Sequence, residues 1–114
     1  MASDFEISTR LYISNGKGGE QFAFGGGLIA LLREIEDTGS IYRAAKNMKM
    51  AYSKAWKLIN TSEERLDIAL LEREGAHGST LTKEGKKLLD VYDAVQEDVS
   101  NYAQKAVEKA LKQK

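Results

Sequence analysis

The sequence contains no cysteine and no proline, and its one histidine is His77. Without cysteine, the chain can form neither a disulfide framework nor a thiolate metal site. No apolar run approaches the roughly 18 residues of a membrane-spanning helix. The first residues, M-A-S-D-F-E-I, are polar and acidic, unlike a secretion signal. We therefore expect a cytoplasmic protein with no membrane partner. The lack of proline also permits long helices without a kink.

Residues for catalysis or metal binding are scarce as well. The single histidine has no orienting partner nearby in the sequence, and no cluster shows the spacing of metal ligands. The run N-G-K-G-G at 15–19 does not match the phosphate-loop pattern G-x-x-x-x-G-K-[ST], so a hairpin turn is preferred to a nucleotide site. We expect no enzyme activity, no cofactor and no metal, and no small-molecule effector is evident.

The positive charge of the chain is concentrated in one stretch. The 114 residues carry a formal net charge of zero, yet no Asp or Glu occurs between Ile41 and Ser62. The basic residues of this stretch are Arg43, Lys46, Lys49, Lys54 and Lys57. Solvated helix faces usually mix both signs, so this segregation favours a nucleic-acid surface over an ordinary polar face. A local positive face on a neutral protein suits site-specific binding.

The hydrophobic pattern predicts a mainly α protein with small β elements, an α+β fold. Alternating apolar residues predict a half-buried strand over 5–14 and a short returning strand over 21–24. A core helix follows and ends near Gly39. Ser40 is a good N-cap for a second helix, and a break near 48–50 leads to a third helix over 51–66.

The second half of the chain predicts a hairpin followed by a long helix. Residues 68–74 and Thr80-Leu81 form a hairpin of the size of a wing, around a loop at 75–79. Thr82 is an N-cap for a final helix that runs from about Lys83 towards Leu111. Roughly 30 residues rising about 1.5 Å each span about 45 Å, more than a monomeric core can cover.

Apolar residues recur along this final helix at alternating steps of four and three, a heptad seam. The seam consists of Leu88, Tyr92, Val95, Val99, Tyr102 and Ala106. It predicts a homodimer through paired helices; the alternative is a helix that lies along its own domain. We therefore expect a winged helix-turn-helix domain over 1–81 and a dimerisation helix over 82–114.

The sequence also resembles a known family. The blocks that carry the resemblance are F-G-G-G (24–27), G-S-I-Y-R-A-A-K (39–46), M-A-Y-S-K-A-W-K-L-I (50–59), L-L-E-R (70–73) and L-T-K-E-G (81–85). Together they are similar to the N-terminal DNA-binding domain of ModE-type molybdate-responsive transcriptional regulators, and the last two are shared with LysR-type regulators. Full-length members continue into molybdate-binding domains. Since this chain stops at Lys114, we expect a DNA reader without its own molybdate sensor.

The position and chemistry of each candidate DNA-binding residue predict its role. Base contacts are expected from the outward face of the third helix, at Tyr52, Ser53 and Lys57. Phosphate contacts are expected from Arg43, Lys46, Lys49 and Lys54. Trp56 is either core or contact, and Arg73 with the wing loop is assigned to a minor groove or the backbone.

The expected function is that of a homodimeric transcriptional regulator on a palindromic operator in double-stranded DNA. The alternative is a protein-interaction adaptor, or a truncated antagonist that dimerises with another regulator.

Overall fold

The computed structural model describes residues 4–14, 24–74 and 78–113. The elements of this part, in chain order, are β1 (Tyr12–Ile13), β2 (Phe24–Gly25), α1 (Gly26–Thr38), α2 (Ile41–Asn47), α3 (Tyr52–Leu66), β3 (Leu71–Glu74), β4 (Gly78–Leu81) and α4 (Lys83–Lys112). The α+β winged helix-turn-helix with a long last helix is thereby confirmed. Within the described residues, no helix is both long and apolar enough to cross a membrane.

Helix α1 is the centre of the core. Its residues Leu31, Leu32 and Ile35 are fully buried, as the helical spacing predicted. The helix ends where Gly39 adopts a left-handed conformation with φ of 72°, and the Gly39 N–H donates to the Ile35 carbonyl. Glycine takes this conformation at little cost, so the predicted end of the helix is confirmed.

The start of α1 requires glycine for a steric reason. At Gly25, where φ is 151°, a Cβ atom would lie 2.7 Å from Tyr12 Cδ1 and 2.8 Å from the Leu11 carbonyl oxygen. The segment Leu11–Tyr12 therefore approaches β2 this closely only because Gly25 has no side chain.

Helices α2 and α3 approach each other through small side chains. Ala44 and Ala45 on α2 and Ala55 on α3 are at most 2% exposed, so both helices bury small side chains in the shared core. The Ser40 side chain accepts the Arg43 N–H and caps α2, as predicted. The turn between the helices passes through Lys49, whose φ is 55°.

The N-terminal strand prediction was mostly wrong. Only Tyr12–Ile13 is strand, paired antiparallel with Phe24–Gly25. Residues 5–11 follow α4 instead. The Gln96 amide accepts the Leu11 N–H at 2.8 Å and donates to the Thr9 carbonyl at 2.9 Å. Residues 15–23, with the predicted glycine turn and most of the returning strand, lie outside the described residues.

Gln104, eight residues further along α4, repeats this pairing. It accepts the Ile7 N–H at 2.8 Å and donates to the Phe5 carbonyl at 3.1 Å. Eight helical residues rise about 12 Å, close to the roughly 13 Å of four extended residues. The two side-chain amides thus take the place of a partner strand. Residues 5–11 are therefore extended, as their alternating pattern predicted, but they pair with a helix and not with a strand.

The wing hairpin has a slightly different extent from the prediction. Strand β3 begins at Leu71, after the buried Leu70, and β4 includes Gly78 and Ser79, which were predicted as loop. Ser79 N–H donates to the Gly39 carbonyl at 2.9 Å and ties the wing to the end of α1. Residues 75–77, including His77, lie outside the described part of the chain.

Helix α4 begins inside the core and continues beyond it. Thr82 caps it by accepting the Gly85 N–H at 2.9 Å and also donates to the Ala69 carbonyl at 2.6 Å. Leu89 and Tyr92 are buried, and the Tyr92 ring meets Phe24 edge-on with 6.0 Å between centroids. The described molecule measures 61 × 31 × 23 Å.

Candidate nucleic-acid interface

Helix α3 presents a polar face opposite its buried one. Ala55, Ile59 and Ser62 face the core because they recur at helical spacing. Each residue predicted to contact bases is exposed, namely Tyr52, Ser53 and Lys57. The helix begins at Tyr52, so these three residues occupy its first two turns. In helix-turn-helix proteins the N-terminal part of the recognition helix contacts base edges.

The predicted phosphate-binding residues lie on α2, on the turn that follows it and on α3 itself. Arg43, Lys46, Lys49 and Lys54 are all exposed. The ion pairs of the described residues join Arg33 to Asp93 and Lys86 to Glu36, and neither involves these basic side chains. The positive charge is therefore not neutralised by a described carboxylate.

Lys49 lies in a backbone conformation that favours glycine. Its φ of 55° places a side chain in the left-handed region, which costs a non-glycine residue roughly 1–2 kcal/mol. A residue held in such a conformation by its surroundings suggests a use for its side chain. Lys49 is exposed in the turn between α2 and α3, so its ammonium group is available to a polyanion.

A row of aromatic rings lies beside the start of α3. Tyr42 on α2 and Tyr52 pack edge-on with 6.0 Å between centroids, and Tyr52 and Trp56 do so at 6.3 Å. Arg73 on β3 lies over the Trp56 ring, with its Cζ 4.1 Å from the centroid. Trp56 is half-buried, packs against the core and carries Arg73 on its ring. From the sequence alone, Trp56 could be either a core residue or a DNA contact.

The aromatic row lines a groove of about 750 Å³ between α2, α3 and the wing. Arg43 and Arg73 contribute positive charge to its lining, and Ser79 lies at its wing side. Tyr42, which is 61% exposed, was not among the residues predicted from the sequence. An aromatic residue next to Arg43, on the acid-free stretch, was the available signal.

The predicted dimerisation residues divide into two groups in the structure. Leu88 is half-buried against the core and Tyr92 is buried beside Phe24. The exposed group consists of Val95 and Val99, each 39% exposed, Tyr102 at 76%, and Ala106. Val91 is 44% exposed and lies beside this stripe, outside the predicted seam.

Comparisons with known proteins show which family this chain belongs to. The family model of bacterial regulatory helix-turn-helix proteins of the lysR family matches residues 27–86. The transcriptional regulator ModE of Yersinia pestis is 39% identical over 69 residues, which cover 57% of this chain and 26% of that protein. The transcriptional regulator ModE of Haemophilus influenzae is 36% identical over 72 residues, which cover 60% of this chain and 28% of that protein.

The DNA-binding transcriptional dual regulator ModE of Escherichia coli strain K12 is 36% identical over 69 residues, which cover 57% of this chain and 26% of that protein. The chain thus spans little more than a quarter of the length of these relatives. The resemblance to ModE-type and LysR-type regulators is confirmed for the part with the helix-turn-helix. Because the lysR-family model matches more than half of the sequence, the chain belongs to the bacterial regulatory helix-turn-helix proteins of the lysR family.

Proposed function

We propose that this chain is a DNA-binding transcriptional regulator that recognises a specific duplex site. The observation that carries the proposal is the exposed face of α3, where Tyr52, Ser53 and Lys57 occupy the first two turns. Membership of the lysR family supports it, since the family is named for regulatory helix-turn-helix proteins.

The residues divide the recognition task according to their chemistry. Ser53 and Lys57 are four residues apart, so they lie on one face of α3. A lysine donates to the guanine O6 and N7 acceptors in the major groove, and a serine bonds several base edges. The basic side chains of α2 and the turn contact phosphates and fix the register.

We further propose that two copies bind together through α4. The exposed apolar residues Val95, Val99 and Tyr102 follow a heptad spacing beyond the part of α4 that the core covers. A symmetric dimer places its two recognition helices in successive major grooves. Its operator is then palindromic, with half-sites about 34 Å or a multiple of that distance apart.

The test of DNA binding is fluorescence anisotropy on the DNA upstream of the gene, over a salt titration. Each phosphate that the protein neutralises contributes about −0.9 to the slope of log affinity against log salt. Four or more contacts per protomer predict a steep slope, and an unrelated duplex serves as the specificity control. An affinity that does not change with salt would contradict the phosphate-contact model.

A second candidate is an adaptor, or an antagonist that dimerises with another regulator. The exposed stripe at Val95, Val99 and Tyr102 supports it equally, since it suits a partner helix from either source. Light scattering beside the anisotropy measurement separates the two candidates. A dimer with no DNA affinity at low salt would favour the adaptor.

A further inference from the structure

Arg73 is held by an aromatic ring on the recognition helix. It lies on β3 opposite Ser79, and Trp56 lies on α3, yet the guanidinium carbon is 4.1 Å from the centre of the Trp56 ring. Successive strand residues point to opposite faces, so Arg73 shares with Leu71 the face that packs towards the helices. In the described part of the chain, no carboxylate forms an ion pair with Arg73.

The cation–π contact leaves the hydrogen-bonding capacity of Arg73 free. A guanidinium over an aromatic ring makes a contact that uses no hydrogen-bond acceptor. Its N–H donors lie in one plane, in the fork that matches two phosphate oxygens. Arg73 is exposed, so these donors reach solvent. The ring therefore fixes the position of the charge without competing for its donors.

The surroundings suit a polyanion that passes between α2 and the wing. The groove of about 750 Å³ has Arg43 on one side and Arg73 on the other, with the rings of Tyr42, Tyr52 and Trp56 between them. The two tyrosines are 61% and 48% exposed, so their side chains remain accessible to a ligand. Their hydroxyl groups are donors of the kind that contact DNA phosphates.

We propose that Trp56 is a positioning residue that holds Arg73 against a phosphate of the DNA backbone, and that the groove between α2 and the wing seats this backbone strand. The assignment rests on the proposed function and extends it. Of the two contacts predicted for Arg73, this assignment favours the DNA backbone over the minor groove. The reason is that the guanidinium is held against the recognition helix, which enters the major groove.

A double-variant cycle tests the coupling on one duplex. Arg73→Ala weakens binding to all sequences alike and reduces the salt slope by about 0.9 for each protomer. Trp56→Ala removes the stacking and weakens binding about two- to fivefold. In the double variant, the loss of Trp56 adds almost nothing to the loss of Arg73. Lys112→Ala, at the far end of α4, removes the same charge and leaves affinity unchanged.

Two further measurements separate positioning from folding. Trp56→Phe keeps an aromatic face and retains affinity within about twofold, even if Trp56→Ala unfolds the domain. Trp56 is the single tryptophan, so its fluorescence reports the stack directly. Arg73→Ala shifts this emission in the free protein, whereas Lys112→Ala does not.

The outcomes also distinguish this assignment from the proposed function. If the wild type binds DNA but the losses at Trp56 and Arg73 simply multiply, Trp56 acts independently and the assignment is overturned. An Arg73→Ala protein with unchanged affinity and salt slope overturns it as well. A wild type that binds no DNA at low salt overturns the proposed function, and the assignment with it.

Discussion

The side-chain carboxylate of Glu63, near the end of α3, accepts the backbone N–H of Leu70 at 2.7 Å, at the entrance to the wing. The same oxygen accepts the Leu71 N–H at 3.2 Å. Leu70 is fully buried, so without Glu63 its N–H would have no solvent to replace the bond. One carboxylate thus fixes the wing relative to the recognition helix, and with it the position of Arg73 relative to Trp56.

Replacing Glu63 should therefore destabilise the fold. Hydrogen bonds to a charged group are each worth about 1.5–3 kcal/mol, so Glu63→Ala is expected to lower the free energy of unfolding by at least about 1.5 kcal/mol. Glu63→Gln keeps an acceptor without charge and should cost less. Urea denaturation measures both. The control is Glu64→Ala, since Glu64 is exposed and its loss should stay within about 0.5 kcal/mol. Equal effects at the two positions would contradict this role of Glu63.

Gly85 marks a close approach between α4 and the wing. A Cβ atom there would lie 2.6 Å from the Leu70 carbonyl oxygen and 3.2 Å from Leu70 Cα. Both are backbone atoms, so Gly85→Ala must displace β3 or α4, and we expect a loss of about 1–3 kcal/mol in chemical denaturation.

Gly27 provides the matched control for this substitution. It also lies in the first turn of a helix, but a Cβ atom there meets nothing within 4 Å. Gly27→Ala should be neutral or stabilise the protein by about 0.4–1 kcal/mol, because alanine restricts the unfolded chain. A Gly85→Ala variant as stable as Gly27→Ala would show that the helix tolerates the added methyl.

The helices could be predicted from the sequence because their signals are local. Spacing within one helix identified the buried face of α1, and the caps Ser40 and Thr82 placed the starts of α2 and α4. The register of the N-terminal segment could not be predicted in this way. Gln96 and Gln104 are ordinary polar residues on an amphipathic helix, and their partners lie about 90 residues away in the chain.

The candidate site, like the fold, could be predicted where its signal is local in the sequence and not where it joins distant residues. The acid-free stretch indicated the face of α3, since charge segregation is visible along the chain. The stack of Arg73 on Trp56 could not be predicted from the sequence. It joins a strand to a helix, and hydrophobic periodicity describes only the faces within one element. Trp56 could be core or contact by composition alone. Only the fold shows that one ring is packed on the core and stacked under an arginine.

Replacing Lys49 by glycine should raise the stability of the fold and lower its affinity for DNA. Because its φ of 55° is unfavourable for a side chain, Lys49→Gly is expected to raise the free energy of unfolding by about 1 kcal/mol. The same change removes a phosphate contact and should weaken DNA binding. Lys49→Ala is the control, since it removes the charge but keeps the backbone cost. It should lose the affinity without the gain in stability. A Lys49→Gly protein that binds DNA as tightly as the wild type would show that Lys49 does not contact a phosphate.

Base contacts and phosphate contacts should respond differently to mutation. Ser53→Ala or Lys57→Ala is expected to change the preference at one operator position, with about 1–3 kcal/mol of discrimination lost there. Arg43→Ala or Lys46→Ala should instead weaken binding to every sequence and reduce the salt slope. Affinity selection from a randomised duplex pool, read by sequencing, measures the preference. An unchanged preference in Lys57→Ala would exclude a base contact at this position.

The exposed stripe on α4 predicts the assembly. Val99→Asp places a charge in the centre of the proposed helix pair, where its partner copy places another. By light scattering, the wild type should have about twice the 12.6 kDa mass of one chain, and the variant should have the mass of a single chain. Asn101→Asp adds the same charge at an exposed polar position and should remain dimeric.

The assembly and the operator can be tested with the same two variants. A dimer gains affinity from a second half-site because its second contact is intramolecular. Val99→Asp should therefore bind an isolated half-site as the wild type does, yet lose the gain on a palindrome, whereas Asn101→Asp keeps it. Since Val95 and Val99 have equal exposure, Val95→Asp should repeat the result. A wild type that is monomeric both alone and on the palindrome would exclude this use of α4.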